Sequence, residues 1–177
     1  MSDVTIGPAR AEDVEALPGI EVRAATLFSP EDLAPEHASD ATPLPVYAAA
    51  QRDGLLLVAR DADDRVVGFA HLEWIDGVAH LEELDVEPEM GRRGIGRALV
   101  EAACRLARNE GSDRITLSTF REVPWNAPFY ARLGFVPIPE DDLGAGLRER
   151  RDREAEDGLD PGKRVMMSRA LRGADSA

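Results

Sequence analysis

A single cysteine, Cys104, in a chain of 177 residues excludes an intrachain disulfide and is consistent with a reducing compartment. Long hydrophobic runs are also missing. No stretch approaches the roughly 20 apolar residues that a bilayer span needs, and the opening MSDVTIGPAR lacks the apolar segment of a signal peptide. A cytoplasmic protein with no membrane partner is expected. Positive charge is scarce: 21 Lys and Arg face 34 Asp and Glu, giving a net charge of −13 and a pI near 4.6. Such a surface repels nucleic acid and anionic lipid, so no nucleic-acid partner is expected. The three histidines, His37, His71 and His80, have no paired ligand spacing, and with one helical cysteine they predict no metal site. At 44% hydrophobic residues the chain can bury one substantial core and is short for two, so residues 1–177 are read as a single domain.

Against that acidic background, three arginines crowd the segment Leu81 to Val100, LEELDVEPEMGRRGIGRALV. A half-polar strand runs there into an Arg- and Gly-rich turn and then into a helix. Arg92, Arg93, Gly94, Ile95, Gly96 and Arg97 would gather free N–H groups at a helix N-terminus, where the dipole favours an anion and missing Cβ atoms admit a pyrophosphate. Two better-known phosphate loops fit poorly. A P-loop needs Lys and Ser or Thr after its last glycine, whereas Gly91 to Ala98 ends in Gly-Arg-Ala. A dinucleotide fingerprint needs a small residue where Leu99 stands and an acid closing the next strand, and Ile115 to Phe120 has none.

A second motif, Trp125 to Phe135 (WNAPFYARLGF), reads as a short helix with Phe129 and Leu133 toward a core and Asn126, Tyr130 and Arg132 toward a cleft. Leu84-Asp85-Val86, Pro88, the RRGIG turn, a helix, the strand RITLSTF and then N-x-P-F-Y-x-x-L-G-F together resemble the GNAT superfamily of acetyl-CoA-dependent N-acetyltransferases. The order and spacing extend from about Val66 to Pro139. The GNAT turn usually begins with Gln or Arg, where this chain has Gly91. Arg92 or Arg93 would supply that contact from the next position.

The resemblance implies an α/β fold with a mixed, mostly antiparallel sheet flanked by helices and a V-shaped splay between its two central strands. It implies acetyl-CoA as co-substrate, held by main-chain groups of Leu84, Asp85 and Val86, by the turn Arg92 to Arg97, and by Asn126. Tyr130 matches the Tyr that protonates the departing thiolate; an isolated phenol, with a pKa of about 10, can do so for a thiol near 8.5. The base is sought on the strand before the turn, at Glu83, Glu82 or His80. Alternation puts His80 and Glu82 on one face and Glu83 on the other, and a bulge would change that phase. Asn126 would also serve as a helix N-cap. Glu21 and Arg23 are lower-ranked acceptor contacts.

Along the rest of the chain, the pattern predicts a first strand at Val4 to Ile6, a helical region from Glu12 to Phe28 shifted at Pro18-Gly19, and a helix from Leu44 to Ala50. Leu55 to Arg60 reads as a strand. Val66 to Ile75 and Val78 to Val86 form a hairpin about Asp76-Gly77. The helix Gly94 to Glu110 has Ile95, Ala98, Leu99, Ala102, Ala103 and Leu106 on one face and Cys104 away from it. Strands at Arg114 to Phe120 and Phe135 to Ile138, an exposed charged helix in Leu147 to Asp157 with Arg150 beside Glu154, and a strand from Arg164 to Leu171 complete the reading.

The leading expectation is an N-acetyltransferase acting directly on a small-molecule amine, without a covalent enzyme intermediate. The alternatives are a protein lysine or N-terminal acetyltransferase and a catalytically silent CoA-binding sensor module. Residues 1 to 40 carry nine acids against Arg10 and Arg23, which suits a cationic acceptor as well as a merely solvated surface. A homodimer is compatible with everything in the sequence.

Overall fold

The computed structural model describes residues 4–171. Seven strands make one sheet in the order β1-β2-β3-β4-β5-β7-β6. These are β1 (Thr5–Pro8), β2 (Leu56–Arg60), β3 (Val66–Ile75), β4 (Val78–Val86), β5 (Arg114–Phe120), β6 (Val136–Pro137) and β7 (Arg164–Ala170). The pairs β1–β2, β2–β3, β5–β7 and β6–β7 are antiparallel, and β4–β5 is parallel. The mixed, mostly antiparallel sheet expected from the sequence is therefore present. The β4–β5 register covers only Ala79–Leu81 against Ile115–Leu117 and ends there, although β4 runs on to Val86 and β5 to Phe120.

The chain packs as two compact units, Met1–Glu73 with Glu82–Ala103, and Trp74–Leu81 with Cys104–Ala177. In the first, a 3-10 turn at Ala11–Ala16 leads into α1 (Leu17–Ala25). Pro18 lies in the first turn of α1, where its missing N–H costs no bond. The helix ends at Ala25, short of the expected Phe28. The acidic, Pro-rich loop contains a single turn, α2 (Pro35–Ala38), and α3 (Leu44–Arg52) runs slightly past the expected Ala50. Val14, Leu17, Ile20, Tyr47, Leu56, Val58 and Phe69 form the core of this unit. β2 is buried along its whole length, as its apolar run requires. Its last residue, Arg60, meets Asp13 in a two-pronged ion pair, Nη1–Oδ1 at 3.0 Å and Nη2–Oδ2 at 2.5 Å, with both residues only 7% exposed.

Helix α4 (Ile95–Asn109) buries Ile95, Leu99, Ala102 and Ala103 as the periodicity predicts. Val100, Cys104 and Ala107 are buried too, so the expectation that Cys104 faces away from the core is corrected. Positions 100, 104 and 107 form a second column beside the first, and small side chains there let the helix sink over a wider face.

In the second unit, Asp76 and Gly77 take φ of 53° and 73°, the paired left-handed values of the type I′ turn that Asp-Gly predicts. The Asp76 carboxylate also accepts the Gly146 N–H at 2.9 Å, within the first turn of α6 (Ala145–Glu156). Leu143, Leu147 and Met166 cluster there with Ile75 and Ile138. The expected strand Phe135 to Ile138 shrinks to β6, since Pro137 and Pro139 cannot donate to a ladder. Glu154 accepts from Arg164 at 3.1 Å and from Ser118 at 2.9 Å. Among the described residues, no helix is long and apolar enough to cross a membrane.

Candidate active site

After β4, a 3-10 turn at Pro88–Met90 is followed by a reversal in which Arg92 and Gly94 both take positive φ, 59° and 81°. Glycine adopts that conformation freely, whereas a side chain at 94 would add strain. The first bond of α4 is Ala98 N–H to Gly94 O at 3.0 Å. The N–H groups of Ile95, Gly96 and Arg97 therefore lie outside the intrahelical ladder. Arg92, Arg93, Gly94 and Arg97 are exposed. First-turn donors outside the helix ladder, the positive end of a fifteen-residue helix and three guanidinium groups all favour an anion, and one with several oxygens suits so many donors. A Cβ on Gly91 would lie 3.1 Å from the Pro88 carbonyl, so glycine there avoids a tight contact in the turn.

This geometry makes a direct prediction. Gly96→Asp places a Cβ and a negative charge among the first-turn N–H groups, and CoA affinity measured by calorimetry should fall at least about tenfold, or roughly 1.4 kcal/mol. Unchanged affinity in a folded variant would exclude this turn as the anion seat.

Leu84, Asp85 and Val86 occupy the last stretch of β4, past its register with β5. Gly68 of β3 lies against them: a Cβ there would come within 2.8 Å of the Asp85 carbonyl and 3.2 Å of Val86 Cγ2. Only glycine permits that approach. On this side the structure gathers a set of acids. Glu21 of α1 accepts the Tyr47 hydroxyl at 2.6 Å, the Thr42 N–H at 2.8 Å and the Thr42 hydroxyl at 3.1 Å. Burial, together with the bond to Glu21, pushes the Tyr47 phenol far above its ordinary pKa, with Glu83 adding to the rise. Asp85 is raised well above the carboxylate range by burial first and then by Glu83 and Glu21. Arg23 is held by Glu87 through Nε–Oε2 at 2.9 Å and Nη2–Oε1 at 2.6 Å.

Of the strand residues considered as bases, Glu83 joins this acidic group, whereas Glu82 takes the other face by alternation. His80 is 1% exposed, with Nδ1 2.9 Å from Thr116 Oγ1. Burial, then Arg150 and Arg164, lowers its pKa to about 3, so it is a neutral structural imidazole at ordinary pH. Tyr47, Thr42 and the Asp85 side chain went unanticipated. A tyrosine in an apolar helix signals only that its hydroxyl will need a partner.

In the second unit, Asn126 precedes α5 (Ala127–Arg132), but its side chain makes no cap. Its Oδ1 accepts from Thr119 Oγ1 at 2.6 Å, which leaves the Nδ2 donor uncommitted among the described residues. Tyr130 is 8% exposed, its ring edge-on to Phe129 at 5.1 Å and Phe135 at 5.6 Å. Phe129 is the more exposed of the pair, a reversal of the expected facing. Six residues with a proline near the start give too little period to orient a helix.

The family profile for the acetyltransferase (GNAT) family matches residues 22–135, from α1 through the end of the Tyr130 motif. The chain belongs to the GNAT family. Among curated relatives of this GNAT chain is a mycothiol acetyltransferase of Clavibacter michiganensis subsp. michiganensis, 39% identical over 84 residues, 46% of this chain and 26% of that protein. A glucosamine 6-phosphate N-acetyltransferase of Trypanosoma brucei brucei is 33% identical over 58 residues, 33% of this chain and 37% of that one. The matches thus span only about a quarter to a third of the relatives' length. The PaiA N-acetyltransferase of Thermoplasma acidophilum, solved with coenzyme A, superposes with a TM-score of 0.64 at 22% identity, covering 95% of this chain and 99% of that one. That likeness extends the GNAT fold to nearly the whole chain.

Proposed function

We propose that this GNAT protein transfers the acetyl group of acetyl-CoA directly to an amine of a small molecule. The observation that carries the reading is the turn from Gly91 to Arg97, with its left-handed residues, its first-turn N–H groups outside the helix ladder and its exposed arginines. It fits the pyrophosphate of CoA by charge and by donor count. Arg92, Arg93 and Arg97, with the N–H groups of Gly94, Ile95 and Gly96, would hold that group. Main-chain groups of Leu84, Asp85 and Val86 would align the pantetheine arm, with Asn126 Nδ2 donating to one of its amides. Acetyl-CoA supplies the activated thioester when bound.

Tyr130 is the acid for the departing sulfur, and Glu83 is favoured over Glu82 as the base because it stands with Glu21 and Asp85. Those carboxylates suit an acceptor that arrives as an ammonium ion. The small-molecule preference draws on the names of the mycothiol and glucosamine 6-phosphate relatives.

The deciding experiment screens a library of amines and peptides with acetyl-CoA, following free thiol. Turnover with small amines is the expected result. Turnover confined to lysine or N-terminal peptides would replace the small-molecule acceptor by a protein one. Tight CoA binding with no turnover across the library would point to the silent sensor.

A further inference from the structure

Strand β5 reads RITLSTF, and its hydroxyls divide by face. Thr116 and Ser118 share one face, where Thr116 meets His80 at 2.9 Å and Ser118 donates to Glu154 at 2.9 Å. Thr119 shares the other face with buried Ile115 and Leu117 and is itself 3% exposed. A hydroxyl on so apolar a face needs a partner. It has one in Asn126, whose Oδ1 accepts from Thr119 Oγ1 at 2.6 Å.

That bond decides which way the Asn126 amide is turned. A hydroxyl and a carbonyl oxygen approach this closely, whereas an amide N–H seldom comes so near to an oxygen. Oδ1 is therefore the end held on β5, and Nδ2 has no hydrogen-bond partner among the described residues. Asparagine just before a helix ordinarily caps it, yet this side chain makes no cap on α5 and is partly exposed. Thr119 is a firm anchor. Its strand pairs with β7 on both sides of it, through Ser118–Met166, Thr119–Val165 and Phe120–Arg164, and a β-branched side chain has few rotamers. An amide whose oxygen accepts a hydrogen bond is also polarised, which strengthens its N–H groups as donors. The main-chain carbonyl of Asn126 accepts the Tyr130 N–H at 3.0 Å, so the residue held in this way also opens the turn that bears Tyr130.

We propose that Thr119 is a positioning residue for the co-substrate: its hydroxyl holds the Asn126 amide oxygen on β5, so that Nδ2 is presented as a donor to an amide carbonyl of the pantetheine arm. The proposal rests on the acetyl-CoA reading above and adds the group that gives Asn126 its orientation. Without the hydroxyl the amide can turn its oxygen outward, where a carbonyl of the ligand meets an acceptor and loses its hydrogen bond. Thr119 itself touches no part of the co-substrate and acts only through Asn126.

Calorimetric titration with CoA tests this, alongside a CoA fragment that ends at the pyrophosphate and lacks the pantetheine arm. Thr119→Val keeps the branched shape and removes the hydroxyl, and the CoA Kd should rise about fivefold. The Kd of the fragment should stay within about twofold, because the phosphate turn is untouched. Thr119→Ser restores the hydroxyl and should return CoA binding to within about twofold of the parent. In an Asn126→Ala background, Thr119→Val should add less than about twofold, as expected of a residue that acts through its neighbour. Asn126→Asp is a second probe: it keeps the bond from Thr119 but turns the Nδ2 donor into a charged acceptor, so CoA should bind at least about tenfold more weakly. Unchanged CoA affinity in folded Thr119→Val or in folded Asn126→Asp would overturn the proposal. So would a loss in Thr119→Val that the fragment shares, or that is as large without Asn126, since a general slackening of the fold produces both. Absence of CoA binding by the parent would overturn the acetyl-CoA reading instead, and is read before any substitution is made.

Discussion

Tyr130→Phe should lower kcat by about 10² to 10⁴ while the CoA dissociation constant stays nearly constant. The substitution removes one oxygen and leaves the ring, so the edge-on contacts to Phe129 and Phe135 persist. Fold stability should change little for the same reason. Loss confined to kcat is what removal of a proton donor predicts, since the donor acts only as the C–S bond opens. Steady-state kinetics with free-thiol detection, together with calorimetric CoA binding, separates the two quantities. If Tyr130 serves only to fill the space between Phe129 and Phe135, the Phe variant will turn over within about threefold of the parent. Tyr130→Ala would then show its main effect as about 3 to 5 kcal/mol of lost stability. Near-full activity in the Phe variant removes Tyr130 from the mechanism and leaves protonation of the sulfur to water.

Arg60→Met should cost about 3 to 5 kcal/mol of folding stability, measured by urea denaturation, with acetyl-CoA affinity per folded molecule unchanged. Arg60 and Asp13 satisfy each other through two bonds in a nearly dry setting. Methionine can fill the volume of the arginine stem but leaves the Asp13 charge without its counter-ion. The double variant Asp13→Leu with Arg60→Met removes both charges, and it should recover much of the loss because the desolvation of two ions is avoided. A cost below about 1 kcal/mol for Arg60→Met would mean that the Arg10 N–H, which also reaches the Asp13 carboxylate, suffices to hold it.

The parts of this fold that were legible in the sequence are those with a local cause. Asp76-Gly77 between two alternating strands specifies a hairpin through backbone geometry alone, and β3 and β4 have the expected limits. Fifteen residues of α4 carry enough period to orient most of the helix, and the turn before it announces its anion preference through composition. What was not legible depends on contacts between distant segments. The bond from Tyr47 to Glu21 joins positions 26 apart, and no pattern in α3 names its partner. Asp85 was expected to act through its main chain, because the burial and the like charges of Glu83 and Glu21 that perturb its side chain depend on how distant segments pack. His80 looked available because sequence shows a titratable group and not the Thr116 and burial that hold it neutral.

The carboxylate of Asp76 ends the β3–β4 hairpin and also receives an N–H from the first turn of α6, 70 positions away. A largely charged helix of twelve residues with Leu147 as its buried residue has little to nucleate it alone in water. Its starting turn is completed by a group that is in place only once the hairpin has closed. The order of assembly follows from that dependence: the hairpin forms from local contacts, and α6 condenses onto it after a long chain closure. Asp76→Ala should therefore slow the late step and leave the hairpin's own formation largely untouched, so that folding of this helix is timed by a residue on a strand turn.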